Sequence, residues 1–133
     1  MSVIHTPVLG AEILTALDVR SDGSYIDCTV GEGGHTAMLL AAVQPPPRVL
    51  GVDPGTAVTG YGIVEPANGT PAHLIECGVI RTNPKRELWH RLDALNDGIA
   101  QLIDTHRPDT LALENIFYAK NVRTTVVLGH ARG

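Results

Sequence analysis

The chain has only two cysteines, Cys28 and Cys77, among 133 residues, too few for a disulfide framework, and no Cys or His pair is spaced like a zinc site. A reducing cytoplasm is therefore the expected compartment. There is no apolar run near the roughly 18 residues that a membrane span needs, and no charged N-terminal stretch leading into an apolar core. No membrane partner is expected. The chain is not basic either: its net charge is −4, so overall charge does not argue for nucleic-acid binding. Internal repeats and low-complexity tracts are lacking, apart from three consecutive prolines. What is present is 44% hydrophobic residues, enough for one core of ordinary size. One fused domain over residues 1–133 is the expectation.

Charge is unevenly shared along that domain. Residues 1–47 hold five acids and a single base, Arg20, whereas residues 48–133 hold nine of each. The change falls at Gln44-Pro45-Pro46-Pro47, which reads locally as a surface loop leading into a strand, because proline lacks an amide donor and favours extended backbone.

Periodicity places the elements. Thr6-Pro7 predicts a cap and first helical position for a helix over 7–17, with Leu9, Ile13, Leu14 and Leu17 at helical spacing. Ser24–Val30 reads as a strand entering the glycine-rich Gly31-Glu32-Gly33-Gly34-His35, and Thr36–Val43 as a helix. Arg48–Val52 is an apolar strand ending at Asp53. Val58–Val64 and Leu74–Ile80 form a hairpin across a Pro/Asn/Gly connection. Asn83-Pro84 predicts a second cap-plus-proline start, followed by a long apolar stripe from Leu88 to Ile103. Thr110–Leu113 is a strand ending at Glu114, and a helix follows from Asn121.

Two constellations carry chemistry. The first is strand, glycine-rich turn, helix and a second strand ending in an acid, the layout of a nucleotide-binding βαβ unit. Glycines there let backbone amides approach a ligand, and the acid accepts hydrogen bonds from ribose hydroxyls. Alone, such a turn is weak evidence. Its wording is more specific: "HTPVLGAEILTAL", "YIDCTVGEGGH" and "VLGVD" resemble the start of the MraW-type methyltransferases, which modify a cytosine of small-subunit ribosomal RNA with S-adenosylmethionine. The resemblance implies cofactor contacts at Gly33, Gly34, His35 and Asp53.

The second constellation begins at residue 48. "RVLGVDPGTAVTGYGIVE", "ECGVIRT", "DTLALENIFYAKN" and "LGHARG" resemble the N-terminal half of the RuvC-type Holliday-junction resolvases. That resemblance implies a ribonuclease H-like fold, divalent metal such as Mg2+, four-way junction DNA as partner, and catalytic and metal-binding acids at Asp53 and Glu114. Hard cations prefer carboxylate ligands, and a pair of them roughly 4 Å apart activates water for phosphodiester hydrolysis. Phe117 matches the family's aromatic that stacks on a junction base, and Lys120 would face phosphate. The resemblance also implies two further acids from a later helix that lies beyond residue 133.

Taken together, the chain reads as a chimera: an α/β protein whose mixed sheet of about five strands, flanked by helices, combines a Rossmann-like methyltransferase βα unit with a ribonuclease H-like segment. On this reading no active site is complete. The alternatives are a metal-dependent nuclease or binding fragment for four-way junctions, and an S-adenosylmethionine-binding fragment. Uncovered strand edges would favour a homo-oligomer. The two patterns compete for one position, since each wants a different strand beside the one ending at Asp53. A short right-handed crossover sets its two strands side by side, so the strand at 24–30 is expected to insert between those carrying Asp53 and Glu114.

Overall fold

Alternation of Val49, Gly51 and Asp53 with Leu50 and Val52 gives the strand β2 (Arg48–Asp53) two apolar faces, and both are covered. The computed structural model describes residues 7–67 and 70–112, with positions 126, 129 and 130. Around β2, in chain order, lie α1 (Gly10–Leu17), β1 (Ser24–Asp27), α2 (Gly34–Ala42), β3 (Val58–Ala67), β4 (Thr70–Arg81), α3 (Leu88–His106) and β5 (Thr110–Ala112). They form one mixed five-stranded sheet of order β4-β3-β2-β1-β5. β1 is parallel to both β2 and β5, while β2, β3 and β4 form an antiparallel meander.

The expected insertion is present: β1 lies between β2 and β5, with Ile26 opposite Leu50 on one side and Leu111 on the other. Bonds beyond the ladder fix it there. Arg48 N–H donates to Gly23 O at 3.1 Å, Asp109 N–H to Ser24 O at 2.7 Å and Ser24 N–H to Asp109 Oδ2 at 2.8 Å. At the other end Cys28 N–H reaches Ala112 O and Val30 N–H reaches Val52 O, at 3.0 and 2.8 Å.

Ile26 joins Leu50, Val52, Ile63 and Leu102 in the core, with Ile80, Ile99 and Ile103 packed against it. Thus α3 covers one face of the sheet, and its approach to β4 is close: a Cβ on Gly98 would come 2.7 Å from Ile80 Cδ1. On the opposite face Tyr25, Val49 and Leu39 of α2 are buried. Among the described residues no helix is long and apolar enough to cross a membrane.

Several expected boundaries move. α1 starts at Gly10, after Leu9 in the left-handed region (φ 54°) and with no side-chain cap; Thr6 lies outside the described residues. α3 starts at Leu88, not after Asn83-Pro84. Asn83 instead closes a separate turn, its Oδ1 accepting Lys85 N–H at 2.9 Å and its carbonyl accepting Arg86 N–H at 3.0 Å. Local Asx hydrogen bonding competes here with helix initiation. The expected surface loop at the prolines is also corrected: Pro46 and Pro47 are buried. Proline has no N–H to leave unsatisfied, which makes such burial inexpensive. Glu114 and the helix expected from Asn121 fall outside the described residues, apart from isolated positions in the latter.

Candidate functional site

Two aspartates close neighbouring parallel strands at one end of the sheet. Asp27 ends β1 opposite Gly51, and Asp53 ends β2 two residues further along, so both side chains belong to the face that carries α2. Their surroundings differ. Asp27 is only 5% exposed, its Oδ1 accepting Thr29 N–H at 3.1 Å and its Oδ2 the Thr36 hydroxyl at 2.8 Å. Asp53 is exposed, and among the described residues its carboxylate has no hydrogen-bond or ion-pair partner.

The loops explain the contrast. After β1 the chain passes through Gly31 (φ 47°) and Gly33 (φ 80°), conformations that favour glycine, and Gly33 N–H closes on Val30 O at 2.6 Å. This reversal brings α2, and with it Thr36, back over Asp27. After β2, Pro54-Gly55 leads away from the sheet end, held by Thr59, whose hydroxyl donates to Gly55 O at 2.9 Å. Asp53 is left free.

Asp53 is one wall of an open groove of about 350 Å³ that is also lined by Val30, Thr36, Val49, Gly51, Gly60, Tyr61, Gly62 and Val64. Gly51, Gly60 and Gly62 present no side chain, so the floor is backbone. The lining is almost wholly apolar, and the Thr36 hydroxyl is committed to Asp27. Gly33, Gly34 and His35 do not reach it; His35 Nε2 instead donates to Val8 O at 2.9 Å, tying α2 to the segment before α1. Among the described residues, Asp53 is thus the one uncommitted polar side chain of this groove for the charged groups of S-adenosylmethionine, and that donor set does not fit the cofactor.

Nor do the described residues fit a divalent cation. They hold no group of three or more His, Cys, Asp or Glu that could ligate a metal. β1 separates β2 from β5 by two strand spacings, roughly 9.6 Å, so Asp53 faces Asp27's strand rather than the one leading to Glu114. Glu114, Phe117 and Lys120 lie outside the described residues.

Two other groups are perturbed. Burial, and then the neighbouring Asp27 carboxylate, push the Cys28 thiol up to about 11. Tyr61 is raised from its ordinary value chiefly because its hydroxyl donates to Glu76 Oε1 at 2.9 Å. Asp27 was not among the residues expected from sequence, although it carries the same signal as Asp53: a carboxylate at the end of an apolar strand, before glycines.

A mixed sheet with an antiparallel meander and a long helix on one face, with β2 ending in an exposed aspartate, is the arrangement of a ribonuclease H-like fold. Comparison with known proteins agrees. The family model of the crossover junction endodeoxyribonuclease RuvC matches residues 49–133, and the chain belongs to that family. Relatives include the RuvC of Pelotomaculum thermopropionicum, 52% identical over 64% of this chain and 51% of the relative, and that of Halorhodospira halophila, 48% identical over 65% and 50%. The chain spans about half the length of these curated relatives. Among solved structures, T. thermophilus RuvC in complex with a Holliday junction substrate superposes with a TM-score of 0.54 at 24% identity, covering 63% of this chain and 53% of that one, a likeness of fold. The model of the MraW methylase family matches residues 2–59, so residues 49–59, with β2 and Asp53, are shared by both patterns.

Proposed function

We propose that this chain engages four-way DNA junctions as a RuvC-type, metal-dependent nuclease segment. In this reading Asp53 and Glu114 are its acids, Phe117 stacks on a base at the crossover and Lys120 faces phosphate. The observation that carries the reading is the RuvC match over residues 49–133 together with a free carboxylate at the end of β2. The relatives bear the name of crossover junction endodeoxyribonucleases, and one solved neighbour holds a Holliday junction. Exposed Leu74, Ile75 and Val79 on the edge strand β4 offer surface for a second copy of the chain.

A second reading is favoured by one specific observation. With β1 wedged between β2 and β5, the chain would be a chimera that binds junctions without cutting them, because the strands leading to its two acids lie one position too far apart. A gel-shift and cleavage assay on a labelled four-way junction and a linear duplex of the same sequence, with and without Mg2+, separates the two. Junction-selective binding with nicking that Asp53→Asn abolishes supports the nuclease reading; selective binding with no nicking supports the chimera; equal or absent binding to both DNAs contradicts both. Calorimetric titration with S-adenosylmethionine is expected to give no heat.

A further inference from the structure

The segment from Arg81 to Arg91, "RTNPKRELWHR", carries Arg81, Lys85, Arg86 and Arg91 against a single acid, Glu87, in a chain whose net charge is −4. Arg81, Lys85 and Arg86 are exposed, and among the described residues none of the four cations is in an ion pair. The turn that presents them is rigidly tied to the sheet. Thr82 N–H donates to Ala57 O at 3.0 Å, and Arg91 Nε donates to Thr56 O and to Thr82 Oγ1, each at 3.2 Å. Arg91 therefore staples the turn to the loop that follows Asp53. Three residues after Arg86, in the first turn of α3, stands Trp89, 63% exposed although it is the largest apolar side chain in the protein. Its indole stacks on the His90 ring with centroids 3.4 Å apart, which braces one face and leaves the other to solvent.

Position gives this cluster its meaning. Asp53 pairs with Gly60 and Gly60 with Val79, so Arg81, two residues beyond Val79, belongs to the same sheet face as Asp53. Two strand spacings and two residues separate them, roughly 12 Å between backbones. On β3, between them, lie Gly60, which adds no side chain to the surface, and the exposed Val58, which pairs with Arg81. Fixed cations attract phosphates, and an exposed, braced aromatic offers a stacking platform for an unpaired base.

We propose that Arg81, Lys85, Arg86 and Trp89 form a DNA-contact surface that grips the backbone next to Asp53 and stacks Trp89 on an unpaired base. This proposal rests on the junction-binding reading and names a surface for it that the site residues expected from sequence do not include. Trp89 is the single tryptophan of the chain, so its emission reports on this surface directly.

The test titrates the full chain with a four-way junction and with a 20-nucleotide single strand, following both Trp89 fluorescence and electrophoretic mobility across a range of salt concentrations. Both DNAs should quench Trp89, and Trp89→Ala should weaken binding about tenfold, in the range for loss of one base–aromatic stack. Lys85→Ala/Arg86→Ala, on an exposed turn, should keep the circular dichroism spectrum while lowering the slope of log K against log salt by about 2, near one unit per lost phosphate contact. DNA binding with unchanged emission and an unchanged salt slope in the double variant would overturn this proposal and leave junction binding standing. Absence of binding to any DNA by the unaltered chain would instead overturn the junction reading, and this surface with it.

Discussion

Asp27 and Asp53 end adjacent parallel strands at the same edge of one sheet, yet one is buried beneath two hydrogen bonds and the other stands in solvent. The sequence context is alike in both: an apolar strand, an aspartate, then glycine within four residues. What differs is the path of the chain afterwards. A reversal through Gly31 and Gly33 returns α2 and its Thr36 hydroxyl to Asp27, converting a carboxylate into an anchor for the βα unit. The Pro54-Gly55 turn returns nothing to Asp53. A strand-end carboxylate is open to chemistry only where the following loop does not satisfy it.

Substitutions in these two strands should differ in cost, most of all in the strand that carries Asp27. Ile26 is 1% exposed and packs between Leu50 and the α3 residues, so Ile26→Ala should cost about 3 kcal/mol, read as a fall in urea midpoint with unchanged m-value. Because Ile26 comes from the segment before the prolines and its neighbours from the segment after, we propose that both unfold together, with all probes moving in one transition.

Asp27→Ala should follow, at about 2 kcal/mol, because it leaves the half-buried Thr36 hydroxyl and the Thr29 N–H without their acceptor. Thermal unfolding of Asp27→Ala, Thr36→Val and the double variant would check the pairing: the double should cost less than the sum of the singles.

A smaller effect belongs to Cys28. Its thiol, at about 11 in the native state against 9.0 as the unperturbed value, keeps a proton that the unfolded chain releases. Stability is therefore full below pH 9 and declines as pH rises from 9 toward 11, and Cys28→Ala should flatten that decline. The same shift separates the two thiols. Exposed Cys77 should react with a disulfide reagent faster than Cys28 near neutral pH, because the half-buried Cys28 thiol is less accessible and is held protonated.

The smallest effect on stability is expected at Asp53. Asp53→Asn should change the unfolding free energy by under about 0.5 kcal/mol, since no described partner loses a bond, while removing nuclease activity if the chain has it. A large destabilisation at this position would erase the contrast with Asp27.

Much of this arrangement was legible in sequence because its signals are local and periodic. The two-residue alternation of β2, the apolar stripe of α3 and the glycines after β1 each announce an element. The position of β1 was readable too, since a short crossover leaves its strands few places to go. The start of α3 was not: Asn83-Pro84 is written like a helix cap, and its use in a separate turn depends on contacts of Thr82 and Arg91 with Thr56 and Ala57, far away in sequence. The burial of Pro46 and Pro47 was hidden for the same reason. Of the candidate site, Asp53 was identified from its motif and the structure leaves it open to solvent, whereas His35 binds a backbone carbonyl. Asp27 was overlooked because its role is set by α2 folding back, and the basic turn around Trp89 because its four cations are diluted in an acidic whole.

The position of β1, parting the strands that lead to the two acids, decides whether those acids can act together. The most direct measurement is the pattern of cross-strand nuclear Overhauser effects between backbone protons in uniformly labelled protein. With β1 between β2 and β5, connectivities run from residues 25–27 to both 49–51 and 110–112, and none between 49–52 and 110–112. Direct connectivities between those last two segments, with residues 25–27 on an outer edge, would contradict it and restore Asp53 and Glu114 as neighbours.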